Sequence, residues 1–502
     1  MGFSRKKRKH NVCRSEVDDS FIQMRNNRML RKAFSIVCLA SIVLLAATYA
    51  RAADKPNIVL CMADDQGWGD VGFRNHPVLK TPVMDELAAT CLRFDRFYAA
   101  APVCSPTRGS VLTGRHPNRF ACFSWGHWMR PQETTVAEAL KKAGYLTGHF
   151  GKWHLGPMRA ESGASPGESG FDEWFSSPNF FENSPLMSRN GIVVETEGES
   201  SKVTVDAALQ FIRSAAKRDE PFLAVVWFGS PHGPHIALEP DLTTYKDQDK
   251  KHQHFYGEIT AMDRALGNLR TGLKDLGIAD NTLLWYTSDN GALPVGSTGG
   301  LSGKKGNLLE GGIRVPAMIE WPAKIKAPRA TSVPCNTVDI YPTLLEIAGA
   351  TIENQPILDG VSLVPMIEGR MDKRDKPMGF WVHPTRGIGT RSTALLEVLR
   401  KEQRTGVKVE NPDKRVPGDL SKQYPQGEFP GSAAWIDGKY KLLRRVAKNG
   451  KVTLALYDLE ADPAEKTDLA AGEGKRVKRM EGALEAWQGS VVRSLNGEDY
   501  RK

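Results

Sequence analysis

At 502 residues, with 40% hydrophobic and 25% charged side chains, the chain has ordinary globular composition and room for a large catalytic domain beside a smaller one, which excludes disorder as the default. Its formal net charge of +10 would suit nucleic acid or an anionic surface, but residues 1–52 hold eleven Lys or Arg against three Asp or Glu, leaving 57 against 55 for the remainder. The body of the protein is therefore nearly neutral, and no nucleic-acid partner is expected.

The leader reads as an export signal. Arg25, Arg28, Arg31 and Lys32 precede the apolar run AFSIVCLASIVLLAATYA, and Ala50-Arg51-Ala52 offers a small-x-small cleavage site. Cleavage after Ala52 is expected, with a periplasmic or extracellular destination and only a transient encounter with the membrane. An uncleaved anchor is the alternative, because the run approaches the roughly 18 residues of a membrane span. The long basic stretch with its RKKRKH cluster makes Met24 a more ordinary start than Met1. Cleavage leaves Cys61, Cys91, Cys104, Cys122 and Cys335. No close-spaced pair supports a zinc ribbon or a disulfide framework, and the odd count leaves one thiol over, for which Cys104 is a candidate.

NIVLCMADD (57–65) is a strand-like apolar run ending in Asp64 and Asp65. In VCSPTRGSVLTGRHP (103–117), Cys104 stands just ahead of Pro106 and the helix-like RGSVLTGR. A proline at the first helical position with orphan amides nearby makes an anion-binding end, and the helix terminus with Arg108 would lower a thiol's pKa. From the residues alone, Cys104 is open to use as a disulfide half, a buried thiol, a metal ligand, a nucleophile or the precursor of something else. Phe120, Phe123, Trp125 and Trp128 follow, readable equally as a sugar subsite and as loop packing.

GYLTGHFGKWHLG (144–156) sets Lys152 and His154 two residues apart, on one face of an extended chain. PFLAVVWFGSPHGPH (221–235) is a second apolar run and ends in His232 and His235, the latter either on substrate or packed beneath it. His252 and His254, in DKKHQHFYGE, read as an exposed approach to a helix. That helix is GEITAMDRALGNLRTGLKDLG, with Ile259, Met262, Leu266, Leu269, Leu273 and Leu276 on one stripe and a stop at Gly277. TLLWYTSDNG (282–291) is the third apolar run and ends in Asp289 and Asn290.

Short apolar runs alternating with helical patterns predict an α/β fold around a largely parallel sheet, with ligands at the carboxyl ends of its strands. Asp64, Asp65, Asp289 and Asn290 form an oxygen-only set suited to calcium or magnesium rather than zinc. Arg108, Lys152, Lys305 and the histidines make a cationic wall for an anionic guest, an ester of sulfate or phosphate.

Together these segments resemble the type I sulfatase family of the alkaline phosphatase superfamily, of the arylsulfatase and N-acetylgalactosamine-6-sulfatase kind. DDQGWGDVG, KTPVMDELA, APVCSPTRGSVLTGR, GYLTGHFGKWHLG, PHGPH, MDRALGNL, TSDNG and GKKGNLLEGGIRVP occur in family order, and VDIYPTLLEIAG, LDGVSLVP and LYDLEADPAEKTDLA follow. The resemblance implies that a formylglycine-generating enzyme oxidises Cys104 to Cα-formylglycine, with Thr107 standing where many members have serine. It implies that Asp64, Asp65, Asp289, Asn290 and residue 104 bind one divalent cation, usually calcium. Arg108 would hold the hydrated aldehyde, Lys152 and Lys305 would neutralise sulfate oxygens, His154 would act as base, and His232 would bind or protonate the leaving oxygen. Lys305, rather than Lys304, precedes Gly-x-x-x-Glu-Gly-Gly as the family pattern requires. A geminal diol lets one oxygen take the sulfuryl group while deprotonation of the other expels it.

The resemblance further implies an α/β/α sandwich around a large mixed sheet, with a catalytic domain over 53–372 and a C-terminal subdomain over 373–502. SAAWIDGKYKLLRR and VTLALYDLE would form its small antiparallel sheet, and RVKRMEGALEAWQGSVVRSL its helix. LRKEQRTGVKVENPDKRVPGDLSKQYPQGEFP reads as a long surface loop. Selectivity would lie in variable loops such as FENSPLMSRNGIVVETEGES, and an exported enzyme points to a sulfated glycan, with small sulfated molecules also open. A phosphodiesterase or phosphonate monoester hydrolase of the same superfamily, and a silent carbohydrate-binding relative, are the alternatives.

Overall fold

Strand β1 (Asn57–Ala63) is buried on both faces from Ile58 onward, as its continuous apolar run demands, and lies inside an eleven-stranded mixed sheet. The computed structural model of the protein describes residues 1–2, 55–409, 415 and 418–501. The chain divides into the units Met1–Asp54 and Lys55–Lys502, and everything below belongs to the second. The apolar run of the leader and the cleavage expected after Ala52 lie outside the described residues, among which no helix is long and apolar enough to cross a membrane.

In chain order the sheet is built from β1, β2 (Leu92–Tyr98), β3 (Leu146–Lys152), β4 (Glu173–Ser177), β5 (Met187–Arg189), β6 (Ile192–Val194), β7 (Phe222–Trp227), β8 (Thr282–Ser288), β9 (Arg314–Glu320), β10 (Arg329–Thr331) and β11 (Cys335–Asn336). Their spatial order is β10-β2-β9-β8-β1-β7-β3-β4-β5-β6, with β11 beside β2. The five strands β8, β1, β7, β3 and β4 run parallel, and antiparallel partners flank them on both sides.

Side-chain alternation along β1 sorts the core into two layers. Ile58, Leu60 and Met62 pack with Val111 of α2 (Cys104–Thr113), Leu140 of α3 (Val136–Lys142) and Leu344 of α6 (Ile340–Ala348). Val59 and Cys61 pack with Leu87 of α1 (Pro82–Thr90), Phe211 of α4 (Ser200–Lys217) and Leu266 of α5 (Lys250–Asp275). Helix α5 is the predicted amphipathic helix, begun seven residues ahead of the expected segment because Asp249 caps it at the amides of Lys251 and His252. His252 and His254 therefore lie inside its first turns. Met262, Leu266, Leu269 and Leu273 face the main core, whereas Ile259 joins a satellite cluster with Phe255.

A second sheet, four-stranded and antiparallel, orders β12 (Met378–Trp381), β13 (Ala433–Asp437), β14 (Tyr440–Val446) and β15 (Val452–Asp458), and α8 (Gly474–Leu495) packs on it. The expected polar loop differs at its start: Leu399 to Thr405 close a helix, α7 (Ser392–Thr405), which buries Leu396 and Leu399 and stops at left-handed Gly406. Buried leucines three residues apart outweigh the charged composition that argues for a loop.

The second sheet grips the first through buried charge. Lys441 Nζ on β14 lies 3.0 Å from Glu310 Oε1 and 2.9 Å from Glu465 Oε1, all three side chains with no exposed surface. Tyr98 Oη donates to Glu310 Oε2 at 2.9 Å, and the Glu310 amide donates to Glu465 Oε2 at 2.6 Å. Burial pulls the Lys441 ammonium down, but the two carboxylates outweigh it and keep the group charged. Lys441→Ala leaves Glu310 with only Arg314, 3.5 Å away, and Glu465 without its lysine, an expected loss of about 3–5 kcal/mol read from the denaturant midpoint; a midpoint shift worth under about 1 kcal/mol would show that the network carries no such load.

Candidate active site

Four neighbouring parallel strands end on one side of the sheet, and each delivers polar groups there. Asp64 and Asp65 follow β1 directly, Asp289 and Asn290 follow β8, Lys152 is the last residue of β3, and His232 lies five residues beyond β7. The register Ala63↔Ser288 sets the two acidic ends side by side, and the Asp289 amide donates to Ala63 O at 3.1 Å. Cys104 comes from the other layer, as the first residue of α2. The helix thus starts at the cysteine itself, with Val103 as its extended N-cap and Pro106 two residues inside. All ten residues of α2 are buried.

Arg108 sits one turn further along α2. Its Nε and Nη2 donate to Asp289 Oδ2 at 3.0 and 2.7 Å, and its Nη1 donates to Lys152 O at 3.1 Å. Lys152 Nζ donates to Asp64 Oδ2. Lys305 Nζ lies 2.5 Å from Asp65 Oδ1, 2.7 Å from its Oδ2 and 3.5 Å from Cys104 Sγ. Lys304, by contrast, donates to Pro294 O and Gly296 O. Asn290 Nδ2 donates to Asp65 Oδ1 at 2.7 Å.

The Asp64, Asp65, Cys104 and His232 ligand atoms all lie within 4.8 Å of one another. Asp64 Oδ1 and Asn290 Oδ1 are buried acceptors without a donor among the described residues. Orphaned oxygens among three buried carboxylates cost free energy unless a cation satisfies them. An all-oxygen set of this kind fits a hard divalent cation.

The charges answer one another. Burial raises the Asp64 carboxyl, but Lys152, His232 and Arg108 outweigh it and hold the group below the usual carboxylate range; Lys305 and His232 do the same for Asp65. Asp289 ends above that range, because burial and Asp64 prevail over Arg108 and the lysines. Burial, then Lys152 and Arg108, push the His154 imidazole well below its ordinary value, so it is a neutral base. Its Nδ1 has no hydrogen-bond partner among the described residues.

Cys104 departs from the expectation of a lowered pKa. Burial pushes its thiol up to about 12, and the pull of Lys305 and Lys152 does not compensate. Burial thus disfavours the thiolate, which argues against a plain cysteine nucleophile. The odd cysteine count also carries no weight: all five described cysteines are buried and unpaired.

Lys152 and His154 do not share an extended strand face. β3 ends at Lys152, and His154 adopts a left-handed φ of 57°, its amide donating to Pro178 O at 2.9 Å. Asp65 is left-handed as well, at φ 71°. Two non-glycine residues held in this region mark backbone that the surrounding fold forces into place. His232 Nε2 lies 3.4 Å from Asp65 Oδ2, and its Nδ1 lies 2.7 Å from Gly233 O. His235 turns away to Glu258 Oε2 at 3.1 Å and packs edge-on against Phe255.

Phe181 was not singled out by sequence, yet its ring stacks on His232 with centroids 4.1 Å apart and lies 5.2 Å from Lys152 Nζ. The only sequence signal was its place at the head of the loop expected to govern selectivity. Phe120 and Phe123 are core residues, whereas Trp125 is exposed and Trp128 lies under the Arg415 guanidinium at 3.9 Å.

The family model described as Sulfatase matches residues 56–350. N-acetylgalactosamine-6-sulfatase of Homo sapiens is 33% identical over 376 residues, spanning 66% of this chain and 69% of that protein. Arylsulfatase A of Homo sapiens is 33% identical over 368 residues, spanning 66% of this chain and 71% of that one. The crystal structure of Ps i-CgsB in complex with k-i-k-neocarrahexaose is similar with a TM-score of 0.73 and 25% identity, across 88% of this chain and 94% of that chain.

Proposed function

This chain belongs to the sulfatase family and hydrolyses sulfate monoesters, and on that premise we propose that its substrates are sulfated carbohydrates and that residue 104 acts as Cα-formylglycine. Support for the carbohydrate comes from the relative named for N-acetylgalactosamine-6-sulfate and from the similar structure holding an oligosaccharide. Support for the modified residue comes from the Cys-x-Pro-x-Arg signature at 104–108 and from the place of Cys104, beside a lysine and at the head of a buried helix. The formylglycine-generating enzyme is the maturation partner.

Asp64, Asp65, Asp289 and Asn290, with the oxygen of the modified residue, would hold one divalent cation, calcium in preference to magnesium. The observation that carries this is the pair of buried, donorless oxygens on Asp64 and Asn290. When bound, the cation supplies Lewis-acid stabilisation of charge on the sulfuryl oxygens. The hydrated aldehyde would supply two geminal hydroxyls, one to accept the sulfuryl group and one to lose its proton as sulfate leaves.

The chain's own residues do the rest. Arg108 fixes the position of Asp289 and lies one helical turn from residue 104, where it orients the nucleophilic oxygen. Lys152 and Lys305 face the incoming sulfate. His154, neutral and with Nδ1 unpaired, accepts a proton. His232, its Nδ1 aimed at Gly233 O and its ring held by Phe181, serves the leaving oxygen through Nε2. We place the catalytic unit at 53–372, with 373–502 as a subdomain that supports the Lys305 loop, and we read the leader as directing export.

Defined sulfated oligosaccharides, incubated with protein produced alongside its modifying enzyme, are expected to release inorganic sulfate. For one alcohol presented as both esters, the sulfate ester should exceed the phosphate ester in kcat/KM by at least about tenfold. Preference for the phosphate ester would overturn the reading.

A further inference from the structure

Beyond the catalytic centre, the loop that carries Lys305 continues into a groove of about 560 Å³ between that loop and the second sheet, within the range of roughly 300–1,000 Å³ typical of ligand sites. Gly306, Asn307 and Leu308 line one side, and Arg445, Lys451 and Thr453 line the other. The loop ties the groove to the site: Gly306, which lines the groove, directly follows Lys305, and its amide donates to Pro102 O at 2.9 Å, two residues before Cys104, while Lys305 Nζ is 3.5 Å from Cys104 Sγ.

The strand register explains why cations face it. Leu443 pairs with Ala455 across β14 and β15, and both are buried in the cluster that also holds Leu308. Two residues along the same face, Arg445 pairs with Thr453, and Lys451 precedes Thr453 by two. The face that is apolar beneath the Lys305 loop thus becomes cationic where it leaves the core. Arg445, Thr453 and Lys451 are all exposed. Among the described residues neither Arg445 nor Lys451 forms an ion pair, and no carboxylate lines the groove. In a body with nearly balanced charge, two uncompensated cations converging on a carboxylate-free groove form a local anion-attracting surface. Asn307 adds an amide whose Nδ2 donates to no described residue, its Oδ1 being taken by the Leu309 amide at 2.9 Å.

We infer that this groove is a second anion-binding subsite, in which Arg445 and Lys451 hold a sulfate or carboxylate carried by the sugar neighbouring the one that loses its ester. The inference rests on the carbohydrate reading above. It makes the enzyme selective for multiply acidic glycans without altering the chemistry at residue 104.

The test compares wild type with the double variant Arg445→Gln/Lys451→Gln on three substrates: 4-nitrophenyl sulfate, a disaccharide bearing only the scissile sulfate, and the same disaccharide with a second sulfate or carboxylate on the neighbouring sugar. For the doubly acidic disaccharide, KM is expected to rise about tenfold in the variant with kcat within about twofold, while the other two substrates are unaffected. Added salt should narrow the difference between the two enzymes. An unchanged KM for the doubly acidic substrate, or an equal rise for the singly charged one, overturns the subsite alone. Wild type that cleaves 4-nitrophenyl sulfate but neither disaccharide overturns the carbohydrate reading, and the subsite with it.

Discussion

Cys104→Ala is expected to lower kcat by about 10⁴-fold or more, the scale seen when a covalent nucleophile is removed from a site that keeps its charge-stabilising groups. The residue is 1% exposed and is the first of a helix whose other residues are all buried, and alanine removes a single atom, so the variant should fold with a melting temperature close to that of wild type. It should also retain affinity for a sulfated oligosaccharide, because Lys152, Lys305 and the groove cations are untouched. Cys104→Ser should be nearly as inactive, since a serine can take the sulfuryl group but lacks the second hydroxyl that expels it. Peptide mass measurement across residue 104 in active wild-type protein should find the aldehyde or its hydrate. Full activity in protein that carries only the unmodified thiol would remove the proposed mechanism.

Asp289→Asn should lower kcat/KM by about 10³-fold, because one substitution weakens two functions. The carboxylate is a proposed cation ligand, and it is also the partner of Arg108, whose guanidinium is fully buried and donates to it at 3.0 and 2.7 Å. Asparagine preserves the shape but withdraws the charge, leaving Arg108 only the more distant Asp64, 3.8 Å away. Stripping divalent cations from wild type should likewise abolish turnover, and calcium should restore it. A second readout is independent of catalysis: saturating calcium at a hundred times its Kd should stabilise wild type by about 2.7 kcal/mol in thermal unfolding and Asp289→Asn by much less. Equal calcium stabilisation of both proteins would take Asp289 out of the ligand set.

Much of this site was legible because its parts sit at strand ends. β1, β7 and β8 are buried on both faces and therefore read as unbroken apolar runs, so the polar residues that follow them stand out. The amphipathic helix α5 was legible for the same reason, its apolar stripe being a local property, although its start depended on the Asp249 cap. Less visible was α7, where charged composition concealed two leucines that matter only once a core exists to receive them. The Lys441 network was invisible, since its members come from three distant parts of the chain and each alone resembles an ordinary surface charge. Phe181 and the groove share that difficulty.

The sequence by itself determined which groups this protein has available and the family it belongs to, because motif spacing and apolar periodicity are set by covalent neighbours. Only the tertiary structure decided what those groups experience. His235 is turned towards Glu258, and the Cys104 thiol is driven up to about 12 rather than down, because desolvation in a closed core outweighs two nearby lysines. Long-range packing and dielectric are properties of the folded whole, so no local stretch of sequence encodes them.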